Sequence, residues 1–260
     1  MRIEPTLPVR VLGTALRELR QRTGITQEEA AARLLFNNRK ISRLETFQVP
    51  SHHELLAMLD LYGVPVNDWE PYVIMREEAK ARGWWREFGL DDRGYVPLEA
   101  QAVSVRSFQL AAIPTLLQTP DHVRATTQST KAVLLHRRRK QRLTENPPLR
   151  LHAIIHASSL DHTAPHMAEQ RRHIAELAEL DNVTVQILPP SPQPTVRLVC
   201  SFSLLDFPTH AEIACVDHPA GTLQLRKKTE TRAYTNAFDN LTTTALSPEE
   251  SLTLLRRTTE

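Results

Sequence analysis

The chain has 260 residues, long for one domain and comfortable for two, because domains usually run to roughly 100 to 200 residues. With 41% hydrophobic and 24% charged residues it is too apolar for extended disorder, and a net charge of +2 excludes binding a polyanion by overall charge, so any nucleic-acid affinity has to come from a local patch. No window approaches the ~18 apolar residues of a membrane span, and MRIEPTLPVR lacks a signal-peptide core, so we expect a cytoplasmic protein with no membrane contact.

Leu12, Leu16 and Leu19 recur at helical spacing, and Gly24 supplies a stop, which predicts a first helix. Thr26 before Gln27, Glu28 and Glu29 has the form of an N-cap followed by first-turn acids that the helix dipole favours. That second helix turns Ala30, Ala31 and Leu34 inward, and the two alanines allow close approach of another helix. After a turn through Leu35 and Phe36, Asn37 caps a third helix whose apolar stripe is only Ile41 and Leu44. Its remaining residues, Asn38, Arg39, Lys40, Ser42 and Arg43, form either a solvated face or one that reads DNA. Ser51 and Glu54 make a capping box ahead of Leu55, Leu56, Leu59 and Tyr62, and a further helix runs to about Arg82.

Residues 10–65 resemble the helix-turn-helix of the lambda-repressor-like, or XRE, regulators, in which TQEE opens the second helix and an ISRLE-type segment closes the recognition helix; both stand here, at 26–29 and 41–45. The resemblance implies base contacts by Asn38, Arg39 and Arg43 and a phosphate contact by Gln27, and the expected DNA-binding set is Gln27, Asn37, Asn38, Arg39, Lys40, Ser42 and Arg43. The chemistry is suitable, since arginine can fork onto guanine and asparagine can pair with adenine. It also implies an ion pair between Arg20 and Glu45, with a structural role. Leu35 stands where the family usually has the turn glycine, and Phe47 where another glycine is common. A leucine in that turn has to avoid positive φ or be strained into it.

GWWREFGLDDRGYVP at 83–97 reads as a domain junction, with Trp84 and Trp85 as packing anchors or a ligand cage. Beyond it, residues 98–113 read as a helix ended by Pro114, followed by helices from near Pro120 and from about Lys131 to Leu143. The period then changes, and LRLHAIIHA, VTVQIL, CSFSLLDF and EIACVDH are strand-like runs, the first two separated by the helical MAEQRRHIAELAEL. A helix from Lys227 to Leu246 and a capping box at Ser247 and Glu250 complete the pattern. The expected fold is an all-α helix-turn-helix domain over 1–66, a helical connector over 67–97 and a mixed α/β (α+β) domain over 98–260. IPTLLQTPDHVRA, NVTVQILP, SFSLLDFP and ALSPEES make this last part similar to the uncharacterised C-terminal domain common in Streptomyces-type actinobacterial regulators. Glutamate is usual in that family where His156 stands, and glycine where Thr115 stands.

Signals for catalysis are weak. Cys200 and Cys215 read as buried thiols. His152, His156, His162 and His166 are dense, but on a strand His152 and His156 would lie ~13 Å apart, too far to share one tetrahedral ion. We find no Gly-rich phosphate loop, HExxH or GxSxG, and expect no catalytic residue, metal or cofactor. HRRRKQR at 136–142 is the strongest basic run, either a solvated helix face or an auxiliary phosphate contact. The expected protein is therefore a regulator that binds double-stranded DNA as a homodimer, its C-terminal domain sensing a small-molecule ligand or a small protein partner. The alternatives are an enzyme, or degenerate nucleotide-using enzyme, fused to a DNA-targeting module, and a protein-interaction adaptor.

Overall fold

The computed structural model describes residues 6–160, 164–190, 200–208, 211–218 and 221–257. The chain divides into two compact units, residues 1–86 with 91–93 and residues 87–90 with 94–260.

The N-terminal unit is helical. Helices α1 (Leu7–Arg22), α2 (Gln27–Arg33), α3 (Asn38–Leu44) and α4 (His52–Leu61) enclose a core of Leu12, Leu16, Ala30, Ala31, Ile41, Leu44, Leu55 and Met58, each at most 1% exposed. Burying a leucine in such a core contributes about 2 kcal/mol. Two reciprocal capping boxes start α2 and α4, Thr26 with Glu29 and Ser51 with Glu54. Helix α5 (Glu70–Lys80), which the sequence suggested as connector, packs along α1, with Trp69, Tyr72, Val73 and Met75 against the same core.

Within the first unit, residues 83–86 and 91–93 form a local knot of contacts. Trp85 is buried, and its indole N–H donates to Asp92 at 2.8 Å, while Arg86 pairs with the same carboxylate. A Cβ on Gly83 would stand 2.0 Å from the Trp85 ring, so only glycine fits there.

The second unit is built on a six-stranded sheet in the order β3-β2-β1-β4-β5-β6. After the short α6 (Tyr95–Glu99) comes β1 (Ser104–Gln109), a strand where the sequence suggested a helix. Its neighbours on both sides override local composition: β2 (Arg150–His156) pairs with it in parallel and β4 (Phe202–Asp206) antiparallel. Between β1 and β2 lie α7 (Pro120–Thr127) and α8 (Thr130–Lys140); α9 (Met167–Leu177) then leads to β3 (Val183–Leu188), parallel to β2. Strands β5 (Ile213–His218) and β6 (Gly221–Leu225) extend the antiparallel half, and β6 is a second strand that the sequence did not signal. Helix α10 (Lys228–Thr244) covers one face through Phe238 and Leu241, packed with Phe108, Ile154, Phe202 and Leu204. Helix α11 (Pro248–Arg257), started by Ser247 and Glu250, packs on β3 and α9.

Candidate nucleic-acid interface

Helix α3 is held from behind. Glu45, at its C-terminal cap and 3% exposed, accepts from Arg20 Nε at 2.6 Å and Nη2 at 3.1 Å, and from the Gln27 amide at 2.7 Å. Arg17 adds an ion pair at 3.5 Å. The Arg20–Glu45 pair is thus structural, and Gln27 is drawn into it rather than left free at the helix terminus. Hydrogen bonding to Glu45 raises the pKa of Arg20 against its desolvation. The Tyr62 phenol, buried and with no hydrogen-bond partner among the described residues, is pushed up to about 12 by burial and by the charge of Glu45, partly offset by Arg20.

Gly13 sets how closely α1 meets this corner: a Cβ there would lie 2.7 Å from the Glu45 carbonyl oxygen. A glycine inside a helix costs about 0.5–1 kcal/mol relative to alanine, so its presence in α1 was a readable sign of close backbone approach that the helical pattern obscured.

Lys40 also points into the scaffold. It pairs with Glu54 and lies 4.4 Å from the centroid of the Phe36 ring. Burial alone would raise the Glu54 carboxyl, but hydrogen bonds from Lys40 and from Ser51 hold it below the usual range.

What remains on the outer side of α3 is Asn37, Arg39, Ser42 and Arg43. Arg39 and Arg43 are exposed, have no protein partner among the described residues, and share a face one helical turn apart. Ser42 is partly buried beside them. Asn37 has the extended backbone of an N-cap, but its side chain makes no capping bond and its amide is exposed. The side chain of Asn38 lies outside what the structure describes. The turn before the helix contains Leu35 at φ 54°, 93% exposed, and Phe47 beyond it is also exposed.

The basic run at 136–142 behaves differently from either sequence expectation. His136 is buried; Arg139 forks onto Glu99 at 2.7 and 2.8 Å; Lys140 meets His173; Arg138 reaches Gln141 and Glu145; and Arg142 donates to the Ala102 carbonyl at 2.7 Å. Arg137 is left exposed. Most of the run is interior wiring.

Of the histidines, His152 bonds to Gln186 at 2.8 Å and packs edge-to-face against Phe238, and His156 turns to Ser158. His166 packs edge-on to His122, while His162 lies outside the described residues. Among the described residues no group of three or more His, Cys, Asp or Glu side chains is placed to hold a metal, and no helix is long and apolar enough to cross a membrane.

Residues 92–257 match the family described as a domain of unknown function, DUF5753. The chain belongs to that family. Residues 11–70 match a helix-turn-helix domain, which covers the corner built by α2 and α3, so in this DUF5753 protein a helix-turn-helix domain precedes the domain of unknown function, an arrangement that fits a DNA-binding regulator. No curated protein and no solved structure matches it.

Proposed function

We propose that the protein is a cytoplasmic, sequence-specific transcriptional regulator of the XRE type, acting by binding rather than catalysis. Helix α3 enters the major groove, and Arg39 and Arg43 address base edges, assisted by Asn37, Asn38 and Ser42. One observation carries the reading: Arg39 and Arg43, without a partner among the described residues, stand on one face of a helix whose opposite side is fixed by buried core and ion pairs. Gln27 and Lys40 serve mainly to hold the helix, and contribute to phosphate binding only by leaving Glu45 and Glu54.

One such helix reads few base pairs, so the working form is a homodimer on a two-part site with recognition helices about 34–36 Å apart. The C-terminal domain senses a ligand or a protein partner and alters that arrangement.

Selection of bound sites from random DNA tests this reading. A consensus should emerge, and Arg39→Ala and Arg43→Ala should each lose discrimination at particular base pairs, costing ~1–3 kcal/mol there. Equal weakening on every sequence would reduce both arginines to phosphate contacts. Sedimentation as a monomer, free and on the selected site, would remove the dimer.

A further inference from the structure

The face of the sheet opposite α10 contains an unusual pair. Ser107 of β1 and Ser203 of β4 sit directly across from each other, 4% and 7% exposed, with their hydroxyls 3.2 Å apart. They occupy the strand pair where the sheet changes from parallel to antiparallel pairing. Two serines fill much less space than the leucines and phenylalanines elsewhere in this sheet. Between them and the roof formed by Tyr95, Thr115 and Arg139 lies a cavity of about 180 Å³. A polar gap of that size has room for several waters or one small molecule.

Its hydrogen-bonding capacity is only partly used. Ser203 donates to Ser107 and also hydrogen-bonds with the Tyr95 phenol, so two bonds link three hydroxyls and one O–H of the three is left over among the described residues. Gln109 donates one amide hydrogen to Ser107 at 3.3 Å, which leaves its second N–H and its carbonyl oxygen. Arg139 gives Nε and Nη2 to Glu99, and its Nη1 edge has no hydrogen-bond acceptor among the described residues. Breaking up an apolar core with a buried ion pair is weak support for stability by itself, so the pair invites a reason other than folding.

Charge narrows the ligand. Glu99 cancels Arg139, and Asp217 also lines the cavity, so an anion would meet two carboxylates and one already neutralised guanidinium. A carboxamide with a free N–H and a free C=O is complementary to a ring amide, which presents the same two groups in reverse. The remaining walls, among them Val105 and Leu116, are apolar and suit a flat ring.

We propose that this cavity is the sensing site and takes an uncharged, planar lactam of nucleobase size, its ring amide paired with Gln109 and a second carbonyl met by Ser107 or Arg139. The role in sensing rests on the regulator reading above; the binding site does not.

The test uses the full-length protein and titration calorimetry with uracil and hypoxanthine, and with orotate as the carboxylated counterpart of uracil. At least one of the two neutral lactams should bind saturably with one site per chain, and orotate should bind at least about ten-fold more weakly than uracil or not at all. Ser107→Val and Gln109→Leu should each weaken the lactam about ten-fold or more, with cooperative melting retained. Gln109 is only partly buried, so its variant keeps the test available if Ser107→Val folds poorly. No saturable binding of either lactam at millimolar concentration, or unchanged binding in both variants, overturns the site. Repeating the titration with the selected DNA separates the two readings: lactam binding that leaves DNA affinity unchanged upholds the site and overturns the sensing role, whereas DNA binding without lactam binding overturns the site alone.

Discussion

Arginine is used in opposite ways in the two units. On α3, Arg39 and Arg43 stand exposed and without a partner among the described residues, on a helix with one apolar stripe. On α8, a denser run of basic residues is turned largely inward, and Arg139 is locked onto Glu99 in the sheet domain. Density of positive charge along the sequence therefore says little about nucleic acid. What matters is whether the fold supplies each cation with a carboxylate or carbonyl, and that is decided by residues distant in sequence, such as Glu99 for Arg139.

The contrast can be broken most forcefully at its interior end. Arg139→Ala should destabilise the C-terminal unit by ~3–5 kcal/mol, because it leaves Glu99 charged, buried and unpaired. Chemical denaturation would measure it. A loss as small as that of a surface arginine would show that the pair is solvated and that α8 does not differ from α3.

His136 gives a second, smaller handle on the same helix. Burial, then the charges of Lys140 and Arg139, push its pKa down to about 4, and the nearby carbonyls of Thr115 and Gln118 are too loosely placed to offset this. The folded state thus refuses a proton that the unfolded chain accepts near pH 6.5. The neutral histidine contributes fully above that pH, and its contribution is lost as pH falls from about 6.5 towards about 4. Between pH 7 and 5 the melting temperature of the wild type should fall on the order of 5 °C further than that of His136→Gln. Parallel pH profiles would mean that His136 is hydrated.

Leu35 offers an effect of the opposite sign in the N-terminal unit. At φ 54° a leucine is strained and, being 93% exposed, recovers nothing from burial. Leu35→Gly should therefore stabilise the unit by about 1 kcal/mol, after allowing for the greater freedom of glycine in the unfolded chain. A lower melting temperature would instead assign the side chain a stabilising contact.

The smallest expected effect is none. Replacing Arg137, Arg138 and Lys140 together by glutamine should leave the slope of log affinity against log salt unchanged, since most of this surface is committed to protein partners. A slope flattened by roughly 0.9 per residue would restore the run as a phosphate contact.

The helix-turn-helix was legible because each of its helices announces itself locally, through leucine spacing, TQEE and the S-x-x-E box. Helix α3 was equally legible as a thin apolar stripe with a polar remainder. The sequence could not show which of its polar residues face inward: Lys40 and Gln27 looked like their neighbours until Glu54 and Glu45 were brought beside them. In the second unit, β2 to β5 were marked by their apolar runs. Strand β1 was not, because one of its inward positions is Ser107, so SVRSFQ lacks the alternation of a half-buried strand. The residue that hid the strand is the one that opens the cavity, and departures of this kind from the local pattern are expected where a fold makes room for function.

Glu45 and its donors also bear on how the protein would let go of DNA. Arg20 and Glu45 are 8% and 3% exposed, so dissolved ions have little access to their bond, whereas Arg39 and Arg43 face the electrolyte directly. At physiological ionic strength the screening length is about 8 Å and it shortens as salt rises, which weakens exposed charge contacts far more than sheltered ones. Concentrated salt should accordingly strip the reader from the duplex while the reader itself stays assembled, separating release from unfolding.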